Sequence, residues 1–552
     1  MKDASSGIGL ETSRKEPVIE VASRTSAFAR ARVRANDVDV FWAGTAAISA
    51  ALAGVLGWFL RAWPPHEDEA LALFVGRGSF GDVLHTVLGE RGGAPLHFVF
   101  AWAVAHLGGG LTALRIVSLV FAVASVPLIA LLGLRLADRI VGLVAAVLAS
   151  GTWVMLFHGI YGRMYSLFLF TSLLSFLALL SALELGTRKR FALWGLALVA
   201  LLASHPYALL VVAAQGLFVL LRREHMRPAV ATLAAVGVLG IPFWWADVVL
   251  RDRFDVGVGG GGPRLGSVGS VLHYLWIVAG DLSTGHDAWS IPVLALALAG
   301  ALWLGRRRRS ALLLTACVVS VPAITFMVVT LRSTISPESR HLIFALPFLS
   351  VLIAVGLVEI GRLQPPLTAA LAAAALTVIL VGEVAWAHRK TPQFFDGEPA
   401  GQPQARDAAA RWLASTGRAG DVLLGYEPIY LRAWERDRSF SDHALPRADP
   451  ALLADALKDV PEPLGRGVWV LDASDTTNAR QRQTIPFALP KPASSFEGRV
   501  YGPYLVIRSR RPLVTRARYL AVSEDVMRLG RRLDIGDAGV NLQALRRAES
   551  RL

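Results

Sequence analysis

Residues 61–96 read RAWPPHEDEALALFVGRGSFGDVLHTVLGERGGAPL. The stretch follows directly on the first long apolar run, Val40–Leu60. It sets Glu67, Asp68 and Glu69 side by side where a membrane surface meets water, and brings Glu90 and Arg91 near its end. Three adjacent carboxylates at the edge of a low-dielectric medium repel one another and are partly desolvated. That predicts a raised pKa for at least one of them and a group able to accept a proton. A solvated acidic loop is the plainer alternative, and the surrounding sequence favours the first reading.

Of the 552 residues, 54% are hydrophobic and only 18% are charged, with a mean hydropathy of +0.49. A water-soluble chain is not this apolar, so the fold class expected is mainly α, a polytopic transmembrane helical bundle. The formal net charge of +14 invites nucleic acid as a partner. The arginines, however, fall in short clusters between apolar runs and in the C-terminal tail, which reads as membrane topology and excludes that partner. The single cysteine, Cys317, lies inside an apolar run and offers neither a disulfide framework nor thiolate chemistry. Residues 1–39 are polar and basic, and the run that follows is long enough to span, so it reads as an uncleaved anchor behind a cytoplasmic tail.

Apolar segments recur near 40–60, 112–134, 140–157, 165–184, 191–205, 207–221, 229–246, 288–305, 311–330, 341–359 and 367–386, about eleven spans. Basic clusters at Arg135 and Arg139, at Arg188–Arg190, at Arg222, Arg223 and Arg227, at Arg306–Arg309 and at Arg362 occupy every second connection. With these on the cytoplasmic side the N-terminus is inside. The connections 61–111, 159–165, 204–207, 247–287 and 332–340, and everything after Trp386, then lie outside. The segment Ala94–Leu107 is apolar but carries His97 and His106; were it to span, the later clusters would fall on the wrong side. It reads as a re-entrant or interfacial helix.

An N-in, multi-span chain with an acidic pair in its first outer loop, a Pro-Leu segment after it, an LRxxS motif (Leu114, Arg115, Ser118) and an R-x-Y at the next outer turn (Arg163, Tyr165) resembles the GT-C polyprenyl-phosphate-sugar glycosyltransferases. It is most similar to the family 39 branch that includes protein O-mannosyltransferases and lipid A aminoarabinose transferases. The resemblance covers residues 40–386. The chain departs from the family's Pro-Pro-Leu, which here is Ala94-Pro95-Leu96, preceded by two glycines. The resemblance implies a polyprenyl-phosphate-sugar donor and a protein, glycan or glycolipid acceptor; the Ala-, Arg- and Gly-heavy composition, typical of high-GC bacteria, points to a multi-pass home in the plasma membrane.

Transfer of a sugar from a lipid phosphate to a hydroxyl needs a base for the incoming proton and cations for the departing phosphate, around an oxocarbenium-like centre. Asp68 is the expected base, with Glu69 as competitor. The helical pattern EALALFVGR allows Asp68 to serve merely as a helix cap and turns Ala70, Leu71 and Phe74 toward lipid. Glu90 is a third candidate, to orient the acceptor or hold a metal. With only His66 nearby no ligand set is recognisable, so neither a metal nor a cofactor is expected, although a divalent ion at Glu90 stays open. Arg91, Arg115, Arg163 and Arg340 are the candidates for the lipid phosphate; snorkelling to head groups is the alternative for each. Tyr165, His205 and His341 are further hydrogen-bonding candidates. The glycine run within 251–266 lacks the frame of a phosphate loop and reads as a flap.

Past Trp386 prolines and charges rise. Gln404–Leu413 and Ala451–Leu457 read as helices, and Asp421–Gly425, Gly467–Asp472 and Arg499–Arg508 as strands, giving a small extracytoplasmic α/β domain over 387–509. The remainder, 510–552, reads as a basic tail with an amphipathic helix near Val526–Leu533, lying on anionic lipid or disordered. Two other classes stand beside the enzyme. A non-catalytic envelope-assembly protein would keep the fold without activity. A transporter would place charges at mid-membrane and show repeated halves, neither of which is visible.

Overall fold

The computed structural model describes residues 18–254, 264–288, 290–329, 334–335, 338–363, 366–441, 443–474 and 482–552. Residues 1–17 of the expected N-terminal tail and the glycine run of the expected flap lie outside these. Each of the eleven apolar stretches is helical. Among the described residues seven helices are long and apolar enough to cross a membrane, from Asp39–Ala62, the end of the helix Val18–Ala62, to Leu367–Lys390. The count becomes nine if two bent pairs each form one span. Arg188–Ser204 and Ala208–Arg222, of 17 and 15 residues, account for the rest of the difference. At 1.5 Å per residue they reach only about 25 Å, short of a full hydrocarbon core.

The break in one bent pair positions the site. Arg139–Gly151 and Trp153–Ile160 meet at 65°. Thr152 stands between them in extended backbone, and its hydroxyl accepts the N–H of Met155, starting a new helix where a straight one would have continued. The second piece delivers Tyr161–Met164 to the end of the bundle beneath the loop that follows Ala62. Neighbouring helices approach through small residues, as expected where lipid supplies no hydrophobic drive. A Cβ on Gly300 would lie 2.0 Å from the carbonyl oxygen of Leu352, and one on Gly356 2.4 Å from that of Leu296. The helices Ser290–Arg307 and Leu346–Leu363 therefore pack backbone against backbone.

The apolar segment near 94–107 is a 12-residue helix, Pro95–His106, too short to cross. It lies on the helix Glu67–Gly76, burying Ala70, Leu73, Phe98 and Ala101 in one cluster with Leu431 of the C-terminal domain. The ring of Phe74 leans on Tyr426. The apolar face of 67–76, expected toward lipid, is thus covered by protein.

Two short strands, β1 (Arg264–Leu265) and β2 (Thr334–Ile335), pair antiparallel. The C-terminal domain holds a five-stranded sheet of β3 (Val422–Leu424), β4 (Ala444–Leu445), β5 (Gly467–Asp472), β6 (Phe496–Tyr501) and β7 (Tyr504–Ser509), in the order β4-β3-β5-β7-β6. The first three are parallel, and β7 and β6 continue as an antiparallel hairpin. Alternation divides β5: Val468 and Val470 face the helices Gln402–Thr416 and Pro428–Arg436. Trp469 and Leu471 face the other side, where Leu453, Tyr519, Val526, Leu542 and Leu545 pack.

Those last residues correct the domain boundary expected at 510. The helices Arg516–Arg532 and Ala538–Glu549 are neither a lipid-bound tail nor disordered; they form one layer of the domain. Apolar side chains three and four apart face the sheet while the arginines between them face outward, a pattern that composition alone disguises.

Replacing Gly300 by leucine forces apart two helices whose backbones touch. A loss of about 1–3 kcal/mol is expected, measured as a lower thermal midpoint of the purified protein in detergent.

Candidate active site

Side chains at successive helical positions diverge by about 100°, so three neighbouring acids at the start of the helix Glu67–Gly76 face three partners. The cap is His66. Its Nδ1 accepts the N–H of Asp68 at 3.1 Å, and the Glu69 carboxylate accepts the N–H of His66 at 3.2 Å. Asp68 is thereby relieved of the capping role its position suggested.

Glu69 turns into the bundle, fully buried. Arg115, from the helix Leu111–Leu136, forks onto it: Nε donates to Oε1 at 2.9 Å and Nη2 to Oε2 at 2.6 Å. The same guanidinium donates to the carbonyls of Trp63 and Pro64 at 2.8 and 2.7 Å, and the N–H of Gly162 donates to Oε1 at 2.7 Å. This corrects two expectations. Glu69, expected as the competing base, and Arg115, expected at the lipid phosphate, are instead each other's partners, and they clamp the first loop, a bundle helix and the turn after Ile160 together. A guanidinium fork fits carboxylate as well as phosphate, so residue type could not separate the roles.

Glu67 turns the other way, toward the C-terminal domain. It accepts the N–H of Tyr426 at 3.0 Å and pairs with Arg447 at 2.6 Å.

Asp68, half-buried between them, faces the polar end of the bundle. The Tyr161 hydroxyl donates to its Oδ2 at 3.2 Å and lies 3.1 Å from Nδ1 of His66. Arg163 donates from Nη1 to its backbone carbonyl at 3.0 Å. Beyond Arg163 stands a wall of rings and cations. Arg340 lies 5.1 Å from the centre of the Tyr165 ring. The ring nitrogens of His341 and His205 are 3.3 Å apart. Tyr207 stacks on His341, and Phe168 on His205. Asp68, Arg163, Tyr165, His205, Arg340 and His341, drawn from four connections assigned to one side of the membrane, thus belong to one cluster.

Burial raises the Asp68 carboxyl, but the charges of Arg163, His66 and Arg340 and the Tyr161 hydrogen bond outweigh it and hold the group well below the ordinary carboxylate range. The expectation of a raised pKa is reversed here, because cations crowd this acid more closely than its neighbouring acids do. Nε of Arg163, Nε of Arg340 and both ring nitrogens of His158 are buried without a hydrogen-bond partner among the described residues. Unmet buried donors cost about 1–3 kcal/mol each, and concentrated in one place they mark where a polar ligand would be held.

Tyr161 and His158 escaped the sequence reading. Tyr161 was within reach, two residues ahead of Arg163 in the same turn; lone aromatic and imidazole residues in apolar runs otherwise carry no signal of their own. His97, also buried, stands near Arg163; burial first and that charge second lower it to about 3, so it is neutral. Glu90 and Arg91 are not brought into the cluster. They line a separate hollow against the C-terminal domain with Tyr426, His443 and Asp459, and Arg91 donates to the Tyr426 hydroxyl at 3.4 Å. Among the described residues no three imidazole, thiol or carboxylate groups are placed to hold a metal ion.

A multi-pass bundle whose first loop and helix-end arginines meet beneath a small α/β domain matches the GT-C fold of two solved membrane proteins. ArnT from Cupriavidus metallidurans is similar to this chain with a TM-score of 0.51 in the apo state, at 14% identity over 84% of this chain and 98% of its own. Bound to undecaprenyl phosphate it gives 0.53, at 13% identity over 84% and 97%. The archaeal oligosaccharyltransferase AglB from Archaeoglobus fulgidus, in complex with an inhibitory peptide and a dolichol-phosphate, gives 0.50 at 10% identity over 77% and 69%. At these identities the likeness is one of fold. No protein-family profile and no curated protein sequence matches the chain.

Glu69→Gln leaves the Arg115 charge buried and uncompensated, at an expected cost of about 3–5 kcal/mol, read as lost folded yield and a lower thermal midpoint. The depressed Asp68 carboxyl favours the folded state above its unfolded-state pKa of about 3.9, and that contribution is lost as pH falls toward the folded value. Thermal midpoints of wild type and Asp68→Asn are therefore expected to differ most near neutrality and to converge in acid.

Proposed function

We propose that this chain is a membrane glycosyltransferase that moves a sugar from a polyprenyl-phosphate donor to a hydroxyl acceptor on the outer face of the plasma membrane, with Asp68 as general base. One observation carries the reading: a carboxylate held ionised meets two half-buried guanidinium groups, each with a buried Nε that has no partner among the described residues, at one end of the bundle. The lipid phosphates bound by ArnT and AglB support a donor of the same kind. The basic connections support the orientation, with the N-terminus cytoplasmic and the C-terminal domain outside.

Arg163 and Arg340 take the phosphate oxygens, while Tyr165, His205 and His341 wall the sugar. The bond from the anomeric carbon to the phosphate oxygen breaks with its electron pair left on the phosphate. The acceptor oxygen bonds to that carbon, and its proton passes to Asp68. A carboxylate held so far below its ordinary pKa is a weak base in the empty site. Once a phosphate shares Arg163 and Arg340, their pull on Asp68 is partly cancelled and its proton affinity rises. Basicity is thus conditional on the donor being in place. The two guanidinium groups supply the positive charge that a departing phosphate needs, so transfer is expected to proceed in EDTA.

The test is transfer from a radiolabelled polyprenyl-phosphate-sugar in membranes containing EDTA. Asp68→Asn is expected to lower turnover by at least about 100-fold while retaining donor binding. Arg163→Ala and Arg340→Ala are each expected to weaken donor binding by about tenfold or more. Unchanged turnover in Asp68→Asn removes the base. No transfer from any such donor, in wild type as well, favours a non-catalytic assembly role.

A further inference from the structure

A second polar crevice lies on the water side of residues 63–67, outside the cluster around Asp68. Its cavity volume is about 220 Å³. One wall is the first loop, Trp63 to Glu67; the other is formed by Glu427 and Pro428 after β3 and by Asp472 and Ser474 at the end of β5. The chain leaves β3 to form β4 on one side and returns to form β5 on the other, so β3 and β5 flank the point where strand order reverses. At the carboxyl ends of parallel strands this is where open α/β sheets hold ligands. Here the place is closed over by the membrane domain.

We infer that this crevice binds the acceptor and that the acceptor is a glycan. The inference rests on the transferase reading above. Three observations support it. The lining mixes groups that donate with groups that accept: the amides of Gln393, Gln402 and Asn541, the guanidinium of Arg406, and the carboxylates of Glu427 and Asp472. Sugar hydroxyls each do both, and paired amides and carboxylates suit them. Two largely buried aromatic residues also line it: Trp63, whose buried indole N–H has no partner among the described residues, and Tyr504, whose hydroxyl accepts from Arg406 at 3.3 Å. Charge separates the two substrates. Glu67, Glu427, Asp472 and Asp537 outnumber Arg406 and Arg447 in the crevice, so it disfavours a phosphate, which the Arg163 and Arg340 end attracts.

Burial raises the Glu427 carboxyl; Arg447 opposes the shift, and Glu67, Asp472 and Asp537 add to it, in keeping with that acidic balance. An extended peptide would be read along a strand edge, whereas the crevice sits at strand ends and meets no edge. His66 and Glu67, the two residues that precede Asp68, line it.

The experiment uses the full chain in nanodiscs with three probes: neutral oligosaccharides of mannose, arabinose and glucose, a hexalysine peptide, and polyprenyl phosphate. Saturation-transfer NMR and calorimetry read binding of each. Gln393→Trp and Ser474→Trp fill the crevice from opposite walls. At least one oligosaccharide is expected to bind wild type, and each variant to weaken it tenfold or more, with polyprenyl-phosphate affinity as the control on folding. Binding of no oligosaccharide, binding that survives both substitutions, or binding of hexalysine alone each overturns the inference while leaving the donor site standing. Failure of wild type to bind polyprenyl phosphate overturns the transferase reading instead.

Discussion

The buried pair of Glu69 and Arg115 is the constraint on which the rest of the site depends. A charge taken out of water must be matched at once and in detail, because attraction offsets desolvation only when every lone pair and N–H finds a partner. Here the matching recruits three segments far apart in sequence: the loop from Trp63, the helix carrying Arg115, and the turn at Gly162. Once those are fixed, Asp68 and Arg163 have little choice of position. Each is adjacent, or nearly so, to a clamped residue. The pair's value is positional, and a hydrophobic replacement of equal stability would not set the same angles.

With that frame in place, the division of labour among neighbouring acids becomes simple geometry. Glu67 belongs to the C-terminal domain, Asp68 to the polar end of the bundle, and Glu69 to the core. A triplet that in isolation would repel is dispersed by helical rotation, and each member is then defined by its own counter-charge. The low proton affinity of Asp68 follows from this dispersal: facing cations rather than its sisters, it stays ionised.

Much of this was legible in the sequence, for a physical reason. Alternation of basic connections assigns sides to loops without any knowledge of packing, and the loops so assigned carry Asp68, Arg163, His205, Arg340 and His341, which do share one cluster. What was not legible depends on distance. Arg115 and Arg163 look alike on paper; one finds a carboxylate within 3 Å and the other keeps a free Nε. Glu90 resembles a site acid by position, yet its helix turns it toward the C-terminal domain. The basic tail misled because arginine dominates composition while Tyr519, Val526 and Leu545 decide packing. The eleven apolar stretches gave helices without fixing how many of them cross, since a 65° break at a single threonine is invisible to hydropathy.

Glu67 and Asp68 are consecutive residues on one stiff turn of helix, the first gripped by Arg447 and the Tyr426 amide, the second held over the membrane-facing arginines. The C-terminal domain is therefore geared to the carboxylate through a single peptide unit. A tilt of that domain would pull on Glu67 through these two contacts and so on the turn of helix that carries Asp68.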